Sequence, residues 1–287
     1  MATYNYSLPF NSLQTDMMLG APIRNSLSTL PNNVAATLTS PINPIKNYGN
    51  IEQTSFDHAI IAAALVHLAG ITNAPADVAC LHSMGVFPPF RSGREALWLI
   101  QSRGIRVEFG DMGDSPAHAQ WEQDKHQITL NARYRGDTSS ATLYALSEAI
   151  YHEAGHASGN GDNKSSIQEE LNCLGLNALG YRCHITRDPA YAAVASTSPL
   201  IANGVALYSR LFFTDPDPAR NALINRVIEK YGDLPLSSPG HPVPLNPNAM
   251  AIRIARRLQE QKQANDSPPW PPIPYAAMML PRSIAAY

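Results

Sequence analysis

The pattern of apolar and polar positions changes character several times along the chain. Through residue 50 no period is sustained, and this stretch is expected to be a disordered leader. The run from Ser55 to Gly70 is apolar on most sides, opens on a capping residue and stops on glycine, which predicts a buried helix. Shorter helices are predicted after Pro75 and from Arg94 through Ile100, the latter ending at Gly104. Ile105–Phe109 alternates apolar and polar residues, the period of a half-buried strand. His118–Gln123 and His126–Asn131 read as two more strands, joined by a hairpin at Asp124-Lys125. Helical spacing then returns. Asp137–Ser140 offers N-cap residues, and Leu143, Leu146, Ile150 and Ala154 line one side of a helix from Ala141 to about Ser158. A second helix is predicted from about Ser165 to Gly180, and further helices over 191–213, 217–231 and 246–263. Proline-rich loops such as Leu234–Pro244 separate the last of these, and Ser267–Pro274 favours polyproline II.

This pattern predicts an α+β protein with five regions: a leader (1–50), a helical region (51–104), a core with a small antiparallel sheet and two helices (105–190), a C-terminal helical region (191–263) and a Pro-rich tail (264–287). Composition narrows the function classes. Charged residues make up 15% of the chain, against about 25% in ordinary globular proteins. The net charge of −2 gives no electrostatic footprint for nucleic acid. No apolar run approaches the roughly 18 residues of a membrane span. The N-terminus lacks the basic and apolar regions of a secretory signal. The three cysteines, Cys80, Cys173 and Cys183, have no C-x-x-C spacing and do not read as a disulfide scaffold. A cytoplasmic location, or export without a classical signal peptide, is the expectation.

Chemistry enters at Tyr151-His-Glu-Ala-Gly-His156. Positions four apart share a helix face, so His152 and His156 can present two imidazoles to one ion. Glu153, beside the first of them, can act as general base toward a water held there. This is the H-E-x-x-H arrangement of zinc metallopeptidases.

A catalytic zinc requires a third protein ligand, and the sequence offers three carboxylates. His152–Asp162 fits H-E-x-x-H-x-x-G-x-x-D, in which Gly159 turns the chain and Asp162 returns to the metal. The methionine turn that accompanies such a layout has a poor match, Met250 being the first methionine after the motif. The other two are Glu169 and Glu170 on the following helix. A ligand glutamate there calls for a small residue three positions on, which is Cys173 for Glu170 but Asn172 for Glu169. Glu170 also neighbours the apolar stripe Ile167, Leu171 and Leu174. With Glu170 as ligand, Asp162 belongs to a polar turn and Glu169 is expected on the exposed side. Tyr181 and His184 are candidate donors to an oxyanion, and His241 a candidate lid or substrate contact. His58 and His67 read as packed or surface side chains.

The strand hairpin, the stretch His152-Glu-Ala-Gly-His-Ala-Ser-Gly-Asn160 and then Gln168-Glu-Glu-Leu-Asn-Cys-Leu-Gly175 resemble the minimal gluzincin metallopeptidases. The nearest likeness is to the C-terminal peptidase domain of ArdC-type antirestriction proteins, and ImmA/IrrE-type peptidases share the coarser layout. The resemblance covers roughly residues 100–185. It implies a zincin-like core, Zn2+ on His152, His156 and Glu170, and catalysis by Glu153. Asn160 departs from the usual histidine, and Asn172-Cys173 from more apolar positions. The DNA-binding part of ArdC-type proteins has no counterpart, so no nucleic-acid function is carried over. The expectation is therefore a hydrolase, a zinc protease acting on a protein or peptide substrate. Two rivals stand beside it: a zincin-fold binding or scaffold module with structural zinc, and an exported, host-directed protease effector.

Overall fold

The computed structural model describes residues 55–266, apart from 114, 116, 160–164, 198–200, 202–204, 214 and 215. The expected leader, most of the Pro-rich tail and Asp162 lie outside the described residues. Three helices come first: α1 (Ser55–Gly70), α2 (Pro75–Ser83) and α3 (Gly93–Ser102). Three strands follow, β1 (Arg106–Gly110), β2 (Ala119–Glu122) and β3 (Gln127–Asn131), and then α4 (Ser140–Ser158) and α5 (Ile167–Arg187). The chain continues through α6 (Pro189–Thr197), α7 (Val205–Phe213), α8 (Pro216–Tyr231) and α9 (Met250–Asp266). The architecture is mixed α+β, and among the described residues no helix is long and apolar enough to cross a membrane.

The sheet corrects the expectation of an antiparallel one. Its order is β1-β3-β2, with β3 antiparallel to β2 but parallel to β1. The hairpin at Asp124-Lys125 forms as expected and makes its two strands antiparallel. β3 then returns between its predecessors, so β1 meets β3 and never β2. Periodicity identifies strands but carries no information on insertion order. β3 is buried at every position, as the middle of three strands should be, and β2 is left at the edge.

Two apolar clusters hold the molecule together. One joins α1, α3, the sheet and α4 through residues such as Ile60, Leu68, Ile100, Ile128, Leu130, Leu146 and Ile150. The other joins α2, α5, α7, α8 and α9 through Leu81, Leu171, Leu174, Phe212, Leu223, Val227 and Ile254. Helices α4 and α5 pack against each other between these clusters. At Gly155 an added Cβ would lie 2.7 Å from Cys173 Sγ and 2.9 Å from Leu176 Cδ1, so only glycine permits this approach of α4 to α5.

Candidate metal centre

Both ends of α4 are capped. Ser139 is the N-cap and accepts from Thr142 N at 3.3 Å. At the other end Arg103 donates to the Ala157 carbonyl, where a cation suits the helix dipole. On α5 the cap is Ser166, which accepts from Glu169 N. The free N–H groups of Ile167 and Gln168 donate to the Pro235 and Leu236 carbonyls at 2.9 and 3.1 Å. The Pro-rich loop after α8 is thus a strap across the start of α5, and it fixes the turn that carries Glu169 and Glu170.

His152, His156 and Glu170 converge. Their Nε2 atoms are 3.1 Å apart, and the Glu170 carboxylate oxygens lie 3.9 Å from His152 Nε2 and 3.6 Å from His156 Nε2. Ligands about 2.0–2.2 Å from a tetrahedral zinc stand about 3.3 Å from one another, so these separations fit a shared ion. Among the described residues this is the group able to hold one.

The tautomers follow from the partners of the other ring nitrogens. Asn177 Nδ2 donates to the Glu148 carbonyl at 3.0 Å, and a carbonyl can only accept. The opposite atom, Asn177 Oδ1, therefore faces His152 Nδ1 at 2.6 Å and accepts from it. Glu169 Oε1 accepts from His156 Nδ1 at 2.8 Å. With a hydrogen on each Nδ1, the neutral rings turn two Nε2 lone pairs toward each other. That contact is repulsive unless a cation or proton lies between them. Burial, then the neighbouring His156, hold His152 well below the usual histidine range. On His156 burial acts in the same direction, but Cys173, Glu169 and Glu170 outweigh it and raise it well above that range.

Glu169 is a correction to the reading above. It is not on the exposed side: it is 7% exposed, bonded to His156 and within 3.4 Å of Ser238 Oγ on the strap. The first turn of α5 is covered by the strap, which local sequence does not reveal. Glu153 is buried and points to the sheet, where its Oε2 accepts from Trp121 N on edge strand β2 at 2.8 Å. Burial raises its pKa above the ordinary carboxylate value. Cys173 touches His156, and burial pushes its thiol up to about 11, so it stays protonated.

The candidate oxyanion donors do not face this group. His184 bonds Glu148 at 2.8 Å, and Tyr181 packs against Tyr191. His241 is buried on the strap beside Asn172, at 3.1 Å, and borders a groove of about 710 Å³ with Phe87, Gly159, Pro242 and Val243. His58 and His67 are half-buried on α1, and His67 packs edge-on against Tyr144. Asn177, one turn beyond Cys173, and Tyr231, placed near Glu170, were missed. The i+4 spacing of Cys173 and Asn177 was a usable signal for the first, whereas Tyr231 lies 61 residues from Glu170 and gave none.

Comparison with known proteins finds no matching family model, curated protein or solved structure.

Proposed function

We propose that this protein is a zinc-dependent metallopeptidase with a zincin-like, minimal gluzincin core. The observation that carries the reading is the pair of Nε2 lone pairs 3.1 Å apart, both tautomers fixed from behind, with the Glu170 carboxylate closing the third side. His152, His156 and Glu170 would hold the metal. When bound, zinc supplies Lewis-acid polarisation of the scissile carbonyl and of the attacking water. Asn177 and Glu169 keep the two imidazoles aimed and in the right tautomer.

Glu153 performs the proton transfers. It is held by the Trp121 N–H, and its raised pKa suits a group that takes and returns a proton near neutrality. As the water oxygen bonds to the carbonyl carbon, the carbonyl π pair moves to its oxygen and Glu153 accepts the water proton. The C–N bond then breaks, its electron pair goes to nitrogen, and Glu153 delivers the proton to the departing amine. A purely structural site has no use for a base in this position, which favours an enzyme over a scaffold.

The test is Glu153→Gln. The variant should keep metal and fold but lose peptide hydrolysis by about 100-fold or more, measured on denatured casein or a quenched fluorescent peptide library. Equal turnover in variant and wild type would refute the assigned role.

A further inference from the structure

We propose that the apolar segment 275–280 of this chain docks in the groove between the Pro-rich strap and the connection from α2 to α3, carried there by the proline spacer 267–274. The groove lining includes none of His152, Glu153, His156 and Glu170, and the inference does not rest on the metallopeptidase reading.

The groove is preformed. Asn172 Oδ1 accepts from Phe87 N at 2.8 Å, so the amide nitrogen is the atom that faces His241 Nδ1 at 3.1 Å. One buried side chain of α5 thus ties together the two segments that line the groove, Phe87 with Pro89 and the strap from His241 to Leu245. The space between them is about 710 Å³, and no charged residue lines it. Phe87 and Leu245 are exposed although apolar. Pro89, Pro242 and Pro244 have no N–H, so this lining offers few partners for a strand and suits the burial of side chains.

Reach and composition select the occupant. Ala249 and Pro244 pack on Gly85, where an added Cβ would lie 2.5 Å and 3.2 Å from their side chains, and Met250 N donates to Met84 O at 2.7 Å. Helix α9 therefore starts beside the groove. It is 17 residues long, about 24 Å at roughly 1.5 Å per residue. Beyond Asp266 the described residues end, and the sequence sets the reach. Pro268 cannot continue a helix, and residues 267–274, five of them proline, favour a stiff extended spacer of about 25 Å. A chain that reverses at Ser267 and runs back along α9 thus brings Tyr275 level with the groove. Met278, Met279 and Leu280 follow, and no charged residue occurs from Ser267 to Pro281. Uncharged apolar side chains then meet an uncharged apolar groove, which removes both from water. The tether adds an effective concentration on the order of millimolar, so a modest contact suffices. A second copy or a free peptide has no such tether.

The experiment uses the full-length chain with the photoreactive residue p-benzoylphenylalanine in place of Met279. An equal mixture of ordinary and isotope-labelled chains is irradiated, and the cross-linked peptides are mapped by mass spectrometry. Cross-links should form within one chain, to residues 87–89 or 240–245. Leu245→Asp in the same chain should lower their yield about 10-fold or more, because burial of one large apolar side chain is worth at least that factor. Its melting temperature should not change, since Leu245 is exposed. Trp98→Asp, at an exposed apolar residue outside the groove lining, should keep the wild-type yield. Cross-links to other parts of the chain, or none, overturn the proposal. So do links that join labelled to unlabelled chains, which would make a second copy the occupant. An undiminished yield in Leu245→Asp, or an equal loss in Trp98→Asp, overturns it as well.

Discussion

Two histidines four residues apart share a helix face by geometry alone, but a metal needs the correct nitrogen of each. Here that choice is made by Asn177 and Glu169, which hold the two Nδ1 hydrogens. Such partners typically account for 10–100-fold in metal affinity. Glu169→Ala should therefore weaken zinc binding by about 10–100-fold, and Glu170→Ala by more, because it removes a ligand. A chelator competition series checks the order. Near-neutral behaviour of Glu169→Ala would place its carboxylate outside the site. His152, Glu153 and His156 were legible because their chemistry depends on spacing within one helix. Glu170 was legible as the better of two adjacent carboxylates, by its neighbours Ile167, Leu171 and Leu174. The role of Glu169 was not, because it depends on Ser238 and the strap, about 70 residues away in the chain.

At the scale of elements, the site depends on how closely α4 and α5 approach. Gly155 faces Cys173 across that contact. Gly155→Ala gains up to about 1 kcal/mol of helix propensity but forces its methyl into Cys173 and Leu176, and overpacking typically costs 1–3 kcal/mol. The net effect expected is destabilisation, by about 1–2 kcal/mol in urea unfolding. Cys173→Ala removes the nearer obstacle, so the double variant should be more stable than the two single effects predict. Strict additivity would show that the helices relax apart without cost. The extents of α4 and α5 were readable from caps and apolar spacing, although α5 runs on to Arg187, well past the expected stop at Gly180. Gly180 did not end it. The order of the strands was not readable, because β3 enters between β1 and β2 through long-range pairing.

Over the whole molecule, a second buried polar group lies on the same two helices as the candidate metal site. Glu148 bonds His184 at 2.8 Å and Tyr191 at 3.0 Å, with His67 and Tyr144 packed beside them. Burial, then the neighbouring His184, lower His67 to about 4, and burial lowers His184 to about 3. Both rings are neutral when folded, whereas the unfolded chain binds protons below about 6.5. Their contribution is thus full above pH 6.5 and is lost as pH falls toward 4 and 3. Glu148, raised by burial, acts in the opposite direction above its unfolded value. Removing one histidine isolates its share. His67→Gln should lose less stability than wild type between pH 6.5 and 4, by at most about 1.4 kcal/mol per pH unit. Parallel unfolding curves for the two proteins across that range would contradict the assignment. The sequence placed His67 on a packed helix but did not indicate that it meets His184, 117 residues later.

The central claim is that two helices bring His152, His156 and Glu170 together around one metal ion. The most direct measurement is elemental analysis of the full-length chain, purified without chelator, beside its His156→Ala variant. The account predicts about one zinc per chain in the wild type and almost none in the variant. Wild type without zinc after incubation with the metal, or a variant that retains it in full, would contradict the account.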